Sequence, residues 1–285
     1  MALHSFPRGA VVSNSSGTCI AIEKDMASQF VGVIPEPEEA VSRIARNLQL
    51  VYGIGPVREA GLKEEGYATL FDLLSHEKWG QGARPIVEAL ERADGWELLR
   101  YGVSGLDILA FCAPEEVVFL DIETTGLSST SALFMVGMII PSERGLILHQ
   151  LFAREYEEEP AVIEETLARL ADARAVVTYN GKSFDMPFLL RRLAYYGRED
   201  NPHAAIVDLC PPARRKYSFS LPNCRLSTIQ TMVLDVPRDG DIPGSLIPGL
   251  YNDWVRTGDA EKIIPVLDHN ELDLVAMVDL LPLLI

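Results

Sequence analysis

The chain has 285 residues, 48% of them hydrophobic and 23% charged, which predicts a globular protein with one substantial core and a smaller second one. No signal sequence opens it and no apolar run reaches the roughly 18 residues needed to cross a bilayer, so a cytoplasmic protein with no membrane attachment is expected. The formal charge of −16 excludes a general nucleic-acid coat, because polyanion binding draws on Lys and Arg displacing counterions.

In chain order, residues 1–34 show no clear periodicity and read as an N-terminal extension. From "PEPEEAVSRIARNLQLVY" the apolar positions Val41, Ile44, Ala45, Leu48 and Val51 recur at helical spacing behind a Pro and Glu start, and "RPIVEALERADGWELLRYG" repeats the pattern. A small helical domain is therefore expected over 35–100. The period then changes. Short β-rich runs at 117–121, 133–140 and 145–152 suggest a meander, followed by a helix in "PAVIEETLARLAD", a strand in "RAVVTY" and a helix in "FDMPFLLRRLAYYG". The tail "HNELDLVAMVDLLPLLI" closes as an apolar-faced helix. The fold class is α/β, a mixed sheet flanked by helices, over residues 115–285.

Charge is unevenly spread. Glu155, Glu157, Glu158, Glu159, Glu164 and Glu165 crowd one stretch and read as a solvated helix start. From Lys182 to Arg238, nine Lys or Arg face five Asp or Glu, so an anionic ligand should meet that region. Cys19, Cys112, Cys210 and Cys224 form no Cys-x-x-Cys pair, which leaves them as free thiols.

The chemistry gathers in three places. In "VVFLDIETTGL" a buried strand places Asp121 and Glu123 two apart, hence on one face, where unpaired anions need a cation or strong donors. Thr124, Thr125 and Gly126 follow with hydroxyls, N–H groups and a turn suited to a ligand. In "VVTYNGKSFDMPFL" a second strand runs into Asn180 and Gly181, with Asp185 in the first turn of the next helix. Strand ends are where α/β sheets hold ligands. In the tail, His269 and Asp273 stand four apart on one helix face. Four acids and a His would make a two-metal site, and hard carboxylate oxygens select Mg²⁺ or Mn²⁺.

"DIETTGL", "YNGKSFDMPFL" and "HNELD" together resemble the three motifs of the DEDD 3′–5′ exonucleases, which have a ribonuclease H-like fold. The likeness is closest to the bacterial YprB-type ribonuclease H-like branch, through "VDLCPPARRKYS" and "LDHNELDLVAMVDLL" as well, and covers about residues 115–285. It implies that Asp121, Glu123, Asp185 and Asp273 bind two ions, that His269 orients or deprotonates the attacking water, and that Leu127 and Phe184 pack against the terminal base or sugar. Arg214, Arg215 and Lys216 would hold phosphates. One departure is visible: three residues separate His269 from Asp273, the spacing usual when a Tyr stands in the place of the His.

"LVYGIGPVREAGLKEEGYATLFDLL" resembles a helix-hairpin-helix element, with Gly53, Ile54 and Gly55 at the turn where backbone N–H groups of Gly53 and Gly55 would meet a phosphate. Glu59, Glu64 and Glu65 crowd it, so nucleic-acid binding by this hairpin stands only slightly ahead of a purely structural or protein-contact role. The expected function is metal-dependent 3′–5′ exonuclease action on single-stranded DNA or RNA. The alternatives are a non-catalytic nucleic-acid or protein-binding module on the same fold, and a structure-specific endonuclease.

Overall fold

The computed structural model describes residues 6–26, 36–128, 130–142, 145–200 and 202–285, in two compact units. One consists, among the described residues, of 36–113. It holds six short helices: α1 (Pro37–Arg46), α2 (Pro56–Glu64), α3 (Leu70–Leu73), α4 (Gly80–Glu91), α5 (Gly95–Arg100) and α6 (Gly105–Ile108). The helical run thus continues past residue 100 into a stretch that reads as turns, because Ser104 caps α6 by accepting the Leu106 N–H and Asp107 pairs with Arg43 of α1. Between α1 and α2, Gly53 takes a positive φ of 89°, which the tight turn requires. Glu59 faces inward, accepting the Leu48 N–H at 3.1 Å and the Lys63 ammonium at 2.8 Å, so one of the acids crowding this element is committed to holding it together.

The other unit is built on one mixed sheet of β1 (Ala10–Asn14), β2 (Gly17–Met26), β3 (Val117–Thr124), β4 (Leu133–Ser142), β5 (Gly145–Phe152), β6 (Ala175–Thr178) and β7 (Ala205–Asp208). Their spatial order is β1-β2-β5-β4-β3-β6-β7. The meander β3-β4-β5 runs antiparallel outward from β3, and the chain then crosses to the other side of β3, where β6 and β7 pair parallel to it. That reversal makes the carboxyl ends of β3 and β6 a topological switch point, the usual place for a ligand.

The N-terminal stretch is no separate extension. β1 and β2 form a hairpin, and β2 pairs with β5 from Ile20–Phe152 to Met26–Leu146. Its pattern is hard to see in sequence because only Cys19, Ile20 and Ile22 of β2 are buried, while the hairpin turn is held from outside: Asn14 Nδ2 donates to the Ala161 carbonyl and Ser15 to Glu164.

Helices α7 (Glu159–Leu170), α8 (Asp185–Tyr195), α9 (Cys210–Tyr217), α10 (Leu226–Met232), α11 (Ile247–Thr257) and α12 (Ala260–Leu284) complete the unit. Val162 of α7, Phe188 and Leu189 of α8, Trp254 of α11 and Leu267 of α12 join Leu120 and Ile122 in one apolar cluster. The acid run before α7 is not wholly solvated. Glu158 pairs with buried Arg154, and Glu159, 1% exposed, takes both arms of Arg192 at 2.6 Å together with the Leu133 N–H. Burying these carboxylates is tolerable because each is paired and hydrogen-bonded, and the Glu159–Arg192 fork fixes α8 to the start of α7 and to β4. Among the described residues no helix is long and apolar enough to cross a membrane.

Candidate active site

Along β3, alternation sends Leu120 and Ile122 into the core and leaves Asp121 and Glu123 on the opposite face. Asp121 stands across from Gly137 of β4 and Glu123 across from Met135, and the register shifts just after Glu123, where β3 ends its regular pairing. Asp185 opens α8 and is 5% exposed; its Oδ1 accepts the Ile122 N–H at 3.2 Å. The amide between the two strand acids therefore ties the third acid to them.

The connection from β6 to Asp185 is shaped by Asp208 at the end of β7. Its Oδ1 accepts N–H groups of Asn180 at 2.8 Å and Cys210 at 3.0 Å, and its Oδ2 that of Lys182 at 3.2 Å. Asn180 sits at a left-handed φ of 67°, a conformation Asn tolerates.

The fourth acid comes from α12. His269 and Asp273 lie one turn apart, with His269 Nε2 3.7 Å from Asp273 Oδ2. His269 Nδ1 meets Asp241 Oδ1 at 2.7 Å. Arg238, in the segment between α10 and α11, spans two carboxylates: Nη2 donates to Asp273, and Nε lies 3.2 Å from Asp241 Oδ2. The side chains of Arg238, Asp241, His269 and Asp273 are only 8%, 11%, 11% and 18% exposed.

Electrostatics couple these acids. Burial, and then the charges of Glu123, Asp185 and Asp273, push Asp121 well above the carboxylate range, against the amide of Asn270. Burial and then Asp273, Asp185 and Asp241 do the same to Glu123. Burial raises Asp185 to about 7, with Asp208 and Asp273 adding to it and its backbone hydrogen bonds opposing. No Lys or Arg is among the groups acting most strongly on these three. On these three carboxylates burial and like charge dominate, and their all-oxygen donor set fits a hard divalent ion. Among the described residues no three His, Cys, Asp or Glu side chains close into a ready-made cage; Asp273 is turned to Arg238 and Asp121 to Asn270.

Asn270 is fully buried beneath the site. Its Nδ2 donates to Asp121 Oδ2 at 2.9 Å, and its Oδ1 accepts from Gln150 Nε2 at 3.2 Å. Gln150 also donates to the Leu267 carbonyl at 2.8 Å, so β5 and α12 are joined through the amide that positions Asp121.

The sequence model of the RNase H superfamily matches residues 118–285, more than half of the chain. The chain belongs to the RNase H superfamily. The uncharacterized protein YprB of Bacillus subtilis (strain 168) is 30% identical over 166 residues, 57% of this chain; the match spans 40% of the length of that relative. The family B DNA polymerase of Pyrobaculum calidifontis is a structural neighbour at TM-score 0.48 and 18% identity, over 59% of this chain and 24% of the polymerase.

Within this RNase H superfamily unit, the remaining sequence candidates separate. Thr124 Oγ1 donates to the Gly126 carbonyl, and the Thr125 hydroxyl accepts the Ala132 N–H, both at 2.9 Å, so these hydroxyls build the turn after β3. A Cβ on Gly126 would lie 2.9 Å from Ser131 Oγ. Leu127 beyond the turn is 82% exposed, and Phe184, half-buried, precedes Asp185 with its ring 5.6 Å from that of Phe188. Arg214 and Arg215 are exposed on α9, whereas Lys216 donates to the Leu283 carbonyl at the end of α12. Gly53 and Gly55 belong to the separate helical unit.

Sequence reasoning missed Asn270, Gln150, Gly137, Asp208, Arg238 and Asp241. One signal was available: Gly137 interrupts the apolar run "LFMVGMII", and a Gly inside a strand marks close approach of another group.

Proposed function

We propose that this chain is a metal-dependent, cytoplasmic nuclease of the 3′–5′ exonuclease kind, hydrolysing phosphodiester bonds of single-stranded DNA or RNA and releasing nucleoside 5′-monophosphates. The observation that carries this reading is the gathering of Asp121, Glu123 and Asp185 at the end of β3 and the start of α8, where burial first and then acid charges, that of Asp273 among them, push all three carboxyls up, with no Lys or Arg among the groups acting most strongly on them. The four carboxylates would hold two Mg²⁺ or Mn²⁺ ions, which when bound supply water activation and charge stabilisation at the leaving 3′ oxygen.

The chain's own residues supply the rest. A carboxylate on Nδ1 calls for the tautomer with its proton there, so Asp241 leaves the Nε2 lone pair of His269 facing the acids, apt to take a proton from water. The water oxygen bonds to phosphorus, the bond from phosphorus to the 3′ oxygen breaks, and that oxygen leaves with a proton. Asn180, Leu127 and Phe184 flank the acids as contacts for the terminal nucleotide, and Arg214 and Arg215 offer charge to the strand's phosphates.

The helical unit supports a second role in holding nucleic acid or a protein partner. Tyr52 and Val57, 100% and 90% exposed, flank the Gly53–Gly55 turn and give it apolar surface.

The test is incubation of end-labelled single-stranded DNA and RNA with Mg²⁺ or Mn²⁺, beside Asp121→Ala. Mononucleotide release by the wild type alone is expected. Internal fragments would favour an endonuclease, and binding with no metal-dependent cleavage would favour a binding module.

A further inference from the structure

Among the described residues, Arg238 is the arginine that forms an ion pair with an acid of the site. Its guanidinium spans Asp273 Oδ1 and Asp241 Oδ2, and it is 8% exposed. Asp273, like Asp185, is an acid that both Asp121 and Glu123 feel, and it is the more exposed of the two, so the positive charge sits on the outer member of the set. Asp241 in turn holds His269. The segment that supplies both residues turns back at Arg238, whose carbonyl accepts the Asp241 N–H at 3.2 Å, and Gly240 within that turn takes a φ of 79°. The backbone is thus bent so that two side chains three apart enter the same site.

We propose that Arg238 is a resident counter-cation of the acid cluster, occupying on Asp273 the place a divalent ion would take, so that ion binding must displace it. This rests on the metal-binding reading above. The physical reason is competition for one oxygen. Nη2 donates to Asp273 Oδ1, and a cation bonding that oxygen cannot share it with a guanidinium at hydrogen-bond distance without strong repulsion. Without the ion, Arg238 keeps Asp273 from being a buried, unpaired charge. With it, the guanidinium retains Asp241 and gains a free face.

The test is calorimetric titration of Mn²⁺ into the wild type, Arg238→Gln and Arg238→Lys, with thermal unfolding of each in chelator. Arg238→Gln should bind Mn²⁺ about tenfold more tightly, ~1.4 kcal/mol, the low end for a close charge pair, and melt lower when metal-free. Arg238→Lys, a point charge that cannot span both carboxylates, should fall between, and it serves if the Gln variant does not fold. Arg256→Gln, which removes the same charge from an exposed position at the end of α11, should leave Mn²⁺ affinity unchanged. If the wild type binds Mn²⁺ and the Arg238 variants bind it equally or more weakly, the inference is overturned while the metal reading stands. If no protein in the set binds Mn²⁺, both fall.

Discussion

Asn270 Oδ1 stands where a side chain at position 137 would begin: a Cβ built on Gly137 falls 1.9 Å from it. Gly137 is also the residue paired with Asp121 across the sheet. The absent side chain is what lets the Asn270 amide reach Asp121. Gly137→Ala should therefore destabilise the protein by about 1–3 kcal/mol through overpacking and depress activity together with stability. Denaturant unfolding beside a nuclease assay checks it, and an unaltered midpoint would refute the tight fit.

Asn270→Ala separates the two effects, since it opens space instead of filling it. It removes one of the two acceptors of the Gln150 amide, which keeps the Leu267 carbonyl, and takes away the side-chain hydrogen bond that opposes the raised pKa of Asp121. A stability loss of about 1–3 kcal/mol is expected from the unsatisfied buried groups, with weaker Mn²⁺ binding by calorimetry. Full metal affinity in a folded Asn270→Ala protein would show that Asp121 needs no such support.

The acids also set a pH response. Burial raises Asp185 from 3.8 to about 7. A carboxyl whose pKa is higher in the folded state contributes stability that is fully present below its unfolded value and is lost as pH rises through the folded one. In chelator, Asp185→Asn should gain thermal stability relative to the wild type between about pH 4 and pH 7 and hold that gain above it. Divalent ions should cancel the difference by stabilising the wild type alone. A gap between the two proteins that does not change with pH would contradict the raised pKa.

Arg192 and Glu159 offer a test of how α8 is held. Both are buried and joined by two 2.6 Å hydrogen bonds. Arg192→Met should cost about 3–5 kcal/mol by leaving Glu159 charged and unpaired, whereas Arg192→Met with Glu159→Leu should recover much of that loss. Equal unfolding midpoints for the single and double variants would mean that the ion pair is not what pins the helix.

Arg214 and Arg215 are exposed with no ion pair among the described residues. Replacing both by Ala should leave folding unchanged and lower the salt dependence of single-strand binding, the slope falling by roughly 1.4 if each contributes about 0.7. A slope equal to that of the wild type would place the strand elsewhere.

How far the site was legible in sequence follows from what each residue needs to declare itself. Asp121, Glu123 and Asp185 announce themselves because an apolar strand that ends in an acid is a local anomaly. His269 and Asp273 do so through helical spacing. Arg238 and Asp241 carry no local signal: both lie in a loop where charge is ordinary, and Arg238 meets Asp273 across 35 residues. The meander and β6 were readable from apolar runs and turns, whereas the four-residue β7 did not stand out. β1 and β2 were not, because a strand pair buried in so few places loses the alternation that identifies strands. Glu158 and Glu159 misled for the converse reason: their partners Arg154 and Arg192 are chosen by the fold, and a run of acids looks solvated until those partners are known.

The pairing of β2 with β5 has a consequence for how the chain is made. Met26 finds its sheet partner at Leu146, and the whole helical unit lies between them in sequence. During synthesis the first hairpin leaves the ribosome with one edge unmatched, and an unmatched edge is a template for any other extended chain. The helical unit, whose stretch ends at Ala113 before β3 begins, is free to form during that wait. The nuclease-like unit, by contrast, completes its sheet only after a long-range closure of the slow kind. Moving β1 and β2 by circular permutation to follow α12 would remove that wait.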